Sequence, residues 1–181
     1  MNTYFPPLRL KSHLPKKDFF QSLIKNITSL GFNIDEVNSN KPWGGYIRIT
    51  NNQAKKFRET YFAGIELPEQ AINLDISPKI LIVEPHKSLS YQVHDRRSEF
   101  WRVLIGPTGV KLHDKDNEPE DFIVYQSGET INIPVGTRHR LVGLNNMSII
   151  TELWIHLNPH NPSNEQDIRR IQDDFGRNNK K

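Results

Sequence analysis

The stretch "SYQVHDRRSEFW", residues 90–101, decides how the rest of the chain is read. Side chains on a strand alternate between its two faces, so Gln92 and His94 project to one side. The polar turn "DRRS" follows, and a new strand opens at Glu99 with Glu99, Trp101, Val103 and Ile105 on one face and Phe100, Arg102 and Leu104 on the other. A hairpin of this length can set Glu99 opposite His94, so that an amide, an imidazole and a carboxylate meet at one spot. Taken alone, those three residues describe a satisfied surface hairpin more readily than a ligand set.

A second segment changes the balance. "GETINIPVGTRHRL", residues 128–141, places Gly128, Pro134, Gly136 and His139 so that a strand runs into a tight turn and a His opens the next strand. Around these two segments, from Ile72 to about Leu157, short β-branched and aromatic runs alternate with turn residues: "INLDI", "KILIVEP", "LSYQVH", "EFWRVLIG", "GVKLH", "EDFIVY", "ETINIP", "HRLVGL" and "SIITELWIHL". Many short strands at close spacing predict an all-β sandwich or barrel.

The flanks read differently. Residues 1–16 hold three prolines and no clean periodicity, which predicts an extended arm. Phe19, Phe20, Leu23, Ile24, Ile27 and Leu30 recur at helical steps before Gly31 and predict one amphipathic helix. "NSNKPWGGYIRIT" is a turn-rich approach into a strand through Tyr46, Ile47 and Ile49, and "NQAKKFRETYFAG" fits a short helix or an excursion between strands. In the tail, Ser163 as a cap, Gln166 three residues on, and Ile168 and Ile171 on one side predict a short C-terminal helix. The expected organisation is one structural domain: an arm and helix over residues 1–40 packed on a β domain over residues 41–181.

Composition narrows the chemistry. With 181 residues the chain is long enough for one sizeable core. It has no cysteine, which rules out a disulfide, a thiolate metal site or a cysteine nucleophile in this sequence. The formal net charge of +3 comes from scattered basic residues, too diffuse for a nucleic-acid footprint. The N-terminus lacks a signal-like apolar core, and no run approaches the ~18 apolar residues of a membrane span. The expectation is a cytoplasmic protein with a small-molecule partner, neither nucleic acid nor membrane, and with a homodimer as a fold-level expectation for an exposed sheet edge.

The spacing of Gln92, His94, Glu99 and Gly106, followed by that of Gly128, Pro134, Gly136 and His139, resembles the two paired motifs of the cupin superfamily. The resemblance implies a double-stranded β-helix, or jelly roll, holding one metal ion on Gln92, His94, Glu99 and His139. The first position is usually His in cupins, and Gln there resembles the phosphomannose isomerases. "KPWGGY", "LSYQVHDRRSEFW", "IPVGTRHRL" and "DIRRIQDDFGR" are similar, in that order, to four blocks of the type II branch, over about Lys41 to Arg177. The chain departs from that branch where His94, Asp95 and Arg96 stand in place of a histidine run, and in a long stretch from Thr50 to Pro78.

The resemblance implies a metal-dependent aldose–ketose isomerase of sugar phosphates, with mannose 6-phosphate and fructose 6-phosphate as the leading pair. Nitrogen and oxygen ligands with open positions suit zinc first, and also manganese, iron, cobalt or nickel. Arg97 and Arg140, each near a ligand and matching an arginine of the family motifs, are candidates to bind phosphate. Lys111, Glu84 and Glu152 are candidates to carry the proton, with Lys111 the one taken forward. His86, His113 and His156 lack paired spacing and are expected to be structural, and Trp43 to pack at the barrel end. The alternatives are a cupin that binds a sugar or sugar phosphate without turnover, one acting on another phosphosugar such as a heptose phosphate, and an oxygen-using iron cupin.

Overall fold

A computed structural model describes residues 10, 14–64 and 74–177. Most of the expected arm, residues 1–9 and 11–13, lies outside that range. Eight of the nine runs singled out above are strands: β3 (Lys79–Val83), β4 (Tyr91–Val93), β5 (Arg97–Ile105), β6 (Thr108–His113), β7 (Ile123–Tyr125), β8 (Thr130–Ile133), β9 (Arg138–Gly143) and β10 (Ser148–His156). The ninth, "INLDI", is not: residues 74–76 have no strand geometry, and 72–73 lie outside the described residues. Two strands precede these, β1 (Ile34–Lys41) and β2 (Gly44–Ile49), and one follows, β11 (Arg169–Gln172).

The strands form two antiparallel sheets, one of six in the order β1-β2-β3-β10-β5-β8 and one of five in the order β11-β4-β9-β6-β7. This is the all-β jelly roll, the double-stranded β-helix that the cupin resemblance implies. Between the sheets pack Leu81, Val83, Trp101, Val103, Val110, Ile133, Leu141 and Ile150. The outer face of the six-stranded sheet is covered as well. Phe19, Phe20, Leu23 and Ile27 of α1 (Lys16–Ser29) and Phe57 and Tyr61 of α2 (Ala54–Tyr61) pack against Ile47, Ile80, Ile82 and Leu153. A sheet buried on both faces needs continuous apolar strands rather than alternating ones. All nine residues of β10 are accordingly buried.

The "WGG" turn shows why small residues sit there. A methyl on Gly45 would stand 2.1 Å from the Asn38 carbonyl oxygen and 2.8 Å from the Phe20 ring. Gly45→Ala must therefore push β1 or α1 outward. We expect it to destabilise the protein by about 1–3 kcal/mol, the usual cost of overpacking, read from the midpoint of a urea melt.

The structure adds one element, decides between two readings and corrects a third expectation. β1 was not foreseen, because "IDEVNSNK" is polar and half exposed, as an edge strand protected from further pairing must be. "NQAKKFRETYFAG" resolves as helix, since Ala54, Phe57 and Tyr61 bury one face. The C-terminal helix is absent: Arg169 and Arg170 pair with Val93 and Gln92, adding β11 to the free edge of β4. Ser163 caps no helix, and its hydroxyl donates instead to Asp167 Oδ2 at 2.6 Å. Backbone groups of an unpaired β4 edge outcompete a helix of so few residues.

Candidate metal centre

Strand pairing assembles the site. Gln92 on β4 pairs with His139 on β9, so their side chains share the inner face. The turn before β9 is locked to the first motif, with the Gly136 amide donating to the His94 carbonyl at 3.0 Å. Gly136 has φ of +77°, a conformation that a residue with a Cβ rarely adopts. Glu99 on β5 comes from the opposite sheet. His94, Glu99 and His139 are all buried, and one donor atom from each lies within 4.8 Å of the others.

The tautomers are set from behind. His94 Nδ1 hydrogen-bonds to the Asp167 carbonyl, and His139 Nδ1 to the Thr137 carbonyl at 3.0 Å. A carbonyl only accepts, so each Nδ1 carries the proton and each Nε2 offers a lone pair inward. Glu99 Oε1 lies 3.2 Å from His94 Nε2, and Oε2 lies 3.6 Å from His139 Nε2. Gln92 Nε2 is 3.4 Å from both imidazole Nε2 atoms while Ser90 Oγ donates to Oε1 at 2.7 Å. A half-turn of that amide exchanges its oxygen and nitrogen at no cost in shape, aiming the oxygen at the cluster and an N–H at the Ser90 hydroxyl oxygen.

Electrostatics make the same donors available. Burial lowers the His94 pKa to about 3, aided by Arg97 and His139 and opposed by Glu99. Burial also lowers that of His139. Both rings are neutral at neutral pH. Glu99 is raised by burial, but His94, Arg97 and His139 outweigh this and hold its carboxyl at about 2. With the imidazoles neutral, Arg97 is the permanent charge that keeps it ionised. Two neutral imidazoles, a carboxylate and an amide at separations of 3.2–3.6 Å suit a divalent ion about 2.0–2.2 Å from each. The donor set fits such a metal.

The other expected residues divide. Arg97 is in the cluster, but its donors are engaged: Nε to Glu99 at 2.8 Å, Nη1 to Ser163 and to the Asn164 and Asp167 carbonyls, and Nη2 against His94 Nε2. Its position orients Glu99 rather than leaving a fork open for phosphate. Lys111 and Arg140 are not at the cluster. Both pair with Glu118, and Arg140 pairs with Asp174 as well, in a separate surface depression. Arg140 follows His139, and strict alternation on β9 turns it to the other face. Glu84 pairs with Lys16 at the surface. His156 is structural, bridging the Ser163 amide and the Asp75 carbonyl.

A pocket opens beside Gln92, Arg97 and Glu99. Its walls include Trp43, Lys79, Glu152, Trp154 and Arg170. Trp43 therefore lines the pocket as well as packing. Lys79 is a lone cation at the head of an apolar strand, and its inward alternation with Leu81 and Val83 was the signal that could have marked it. Arg170 pairs across strands with Gln92 and so shares its face. Asp167 accepts the Asp95 and Arg96 amides at 3.1 and 3.0 Å and thereby fixes the turn after His94.

Fold and donor set together define a cupin with a candidate metal centre. Residues 68–173 match the family described as mannose-6-phosphate isomerase C-terminal, and the chain belongs to that family. It is similar to the xanthan biosynthesis protein XanB of Xanthomonas campestris pv. campestris, 30% identical over 137 residues, or 76% of this chain and 23% of XanB. It is also similar to the alginate biosynthesis protein AlgA of Pseudomonas aeruginosa, 33% identical over 99 residues, or 55% of this chain and 19% of AlgA. The chain thus spans less than a quarter of the length of these relatives. A structure of CapF with the inhibitor 3-isopropenyl-tropolone superposes with a TM-score of 0.50 and 18% identity, covering 88% of this chain and 43% of CapF, a likeness of fold. Among the described residues, no helix is long and apolar enough to cross a membrane.

Proposed function

We propose that this chain is a metal-dependent sugar-phosphate isomerase, with mannose 6-phosphate and fructose 6-phosphate as the leading pair. The observation that carries the reading is the buried convergence of His94, Glu99 and His139 at the edge of a pocket walled by cations. Gln92, His94, Glu99 and His139 would hold one divalent ion, zinc first among the candidates. When bound, such an ion supplies a Lewis acid for a sugar carbonyl without changing oxidation state. The chain's own residues do the rest: Arg97 keeps Glu99 ionised and oriented, Asp167 and Thr137 hold the imidazoles, and Trp43 and Trp154 line the pocket.

The phosphate role passes from Arg140 to Arg170. Arg170 and Arg177 both line the pocket, together with Lys41; burial and the charge of Arg177 lower the Arg170 pKa, opposed by Asp173, which pairs with Arg177. An anion between them would relieve that repulsion. A hydrogen bond to a charged group contributes about 1.5–3 kcal/mol. Arg170→Met is therefore expected to raise KM for the phosphosugar roughly 10- to 100-fold with little change in kcat, in steady-state assays. An unchanged KM with a fallen kcat would remove Arg170 from phosphate binding. The test of the function itself is isomerisation of hexose and heptose phosphates by metal-loaded protein. Calorimetric binding without turnover would make the chain a binding module instead.

A further inference from the structure

One carboxyl group in the pocket serves neither the metal cluster nor an ordinary surface pair. Glu152 lies on β10 between its cross-strand partners, Lys79 on β3 and Trp101 on β5. Directly paired residues share a face, so all three point between the sheets. Trp154, two residues further on, pairs with Glu99, which makes Glu99 the diagonal neighbour of Glu152. Diagonal sites on adjacent antiparallel strands are about 7 Å apart. Both residues line the same pocket. Each carboxyl is held by an indole: Trp101 Nε1 donates to Glu99 at 3.0 Å, and Trp154 Nε1 to Glu152 at 3.1 Å. Glu99 is thereby turned to the imidazoles. Glu152 lines the open pocket.

We infer that Glu152 is the catalytic proton carrier, moving hydrogen between C1 and C2 of the sugar; this rests on the isomerase reading above. In the aldose-to-ketose direction, its carboxylate takes the C2 proton. The C2–H electron pair becomes the C1=C2 double bond, and the carbonyl pair moves onto O1. The O2 proton passes to O1. Glu152 then returns its proton to C1, the double-bond pair forming the new C1–H bond while an O2 lone pair re-forms the carbonyl at C2. No oxidant or reductant is consumed.

The surroundings suit this work. Lys79 Nζ lies 3.9 Å from Glu152 and 2.6 Å from Glu165. The charged groups facing Glu152 are thus Lys79 on β3, Arg97 and Glu99 on β5, and Glu165 beyond β10. Burial, then Glu99, raise the Glu152 pKa to about 8 against the pull of Lys79 and Arg97. A divalent ion at Glu99 would offset one of the charges that raise this pKa and so favour the carboxylate, while Trp154 Nε1 and Lys79 Nζ approach the same oxygen, Oε1, and orient the group in the pocket wall.

The test is Glu152→Gln in metal-loaded protein with mannose 6-phosphate in D₂O. The expected result is a kcat lowered about 10²- to 10⁴-fold, KM within about threefold, unchanged metal content, and no deuterium at C2 of recovered substrate. Exchange retained at a rate within about tenfold of wild type overturns the inference. Glu152→Asp keeps the ionisable group and is expected to keep exchange. Loss in both variants, or retention in both, assigns Glu152 to packing and overturns it as well. If wild type itself turns over no sugar phosphate, the isomerase reading falls and takes this inference with it. Active wild type with active Glu152→Gln sinks the inference alone.

Discussion

His139→Ala protein is expected to lose its bound divalent metal and, with it, sugar-phosphate turnover by about 10³-fold or more. The candidate ligand it removes is buried, proton-free at Nε2 and held by the Thr137 carbonyl, so its loss takes one imidazole out of the donor set. A metal acting as Lewis acid contributes several kcal/mol to a charged transition state, and each 1.36 kcal/mol is a factor of ten in rate. Arg140→Met is the matched comparison, one residue further along the same strand. Its partners Glu118 and Asp174 lie outside the pocket, and kcat and KM are expected to stay within about threefold of wild type. Metal analysis after dialysis and steady-state kinetics check both variants. Comparable losses in the two would mean that the alternation of β9 is not what separates the candidate ligand from its neighbour.

Metal-free protein is expected to lose stability as pH rises from about 7 to 9, and Glu152→Gln is expected to lose much less. Burial and Glu99 raise the Glu152 pKa from 4.5 to about 8 in the folded chain. The folded state then keeps a proton that the unfolded state has released. The sign follows from linkage: stability from this group is fully present below about 4.5 and is lost as pH rises through about 8. One pKa unit corresponds to about 1.4 kcal/mol, so the effect between these limits amounts to a few kcal/mol. His94 and Glu99 act at the other end. The His94 pKa is lowered to about 3 and that of His139 is lowered too, so their contribution is lost as pH falls below about 6.5, whereas that of Glu99, held at about 2, is lost only below about 4.5. The difference between wild type and Glu152→Gln isolates the alkaline limb. Urea melts at pH 5, 7 and 9 measure it, and equal slopes in the two proteins would contradict the buried, protonated carboxyl. Added divalent metal should flatten the wild-type slope, because a cation at Glu99 offsets one charge that holds the Glu152 proton in place.

The candidate ligands could be picked out because they lie in two short segments whose spacing is fixed by a hairpin and a turn. Gln92 and His94 are two apart on one strand, and His139 follows the Pro134 and Gly136 turn directly. The fold was legible for a similar reason, as its strands are short, β-branched and separated by turn residues. The pocket walls were harder to read. Lys79 and Glu152 meet only because β3 and β10 pair across some seventy residues; Glu152 was one of three candidate proton carriers with nothing local to set it above Glu84 or Lys111, and Lys79 looks like an ordinary charged residue in its own stretch. Arg170 and Asp167 were assigned to a helix by local pattern, whereas the open edge of β4 and the amides of Asp95 and Arg96 supplied partners that no local pattern contains. Arg140 lies away from the cluster because the residue next to His139 on a strand faces the other way, and Lys111, its cross-strand partner on β6, shares that face.

The most direct test of the central claim pairs metal analysis of the purified chain with an isomerisation assay on mannose 6-phosphate, before and after chelation. The account predicts about one divalent ion per chain, interconversion with fructose 6-phosphate, loss of both on chelation and recovery on adding metal back. Metal-replete protein that interconverts no hexose or heptose phosphate would contradict it.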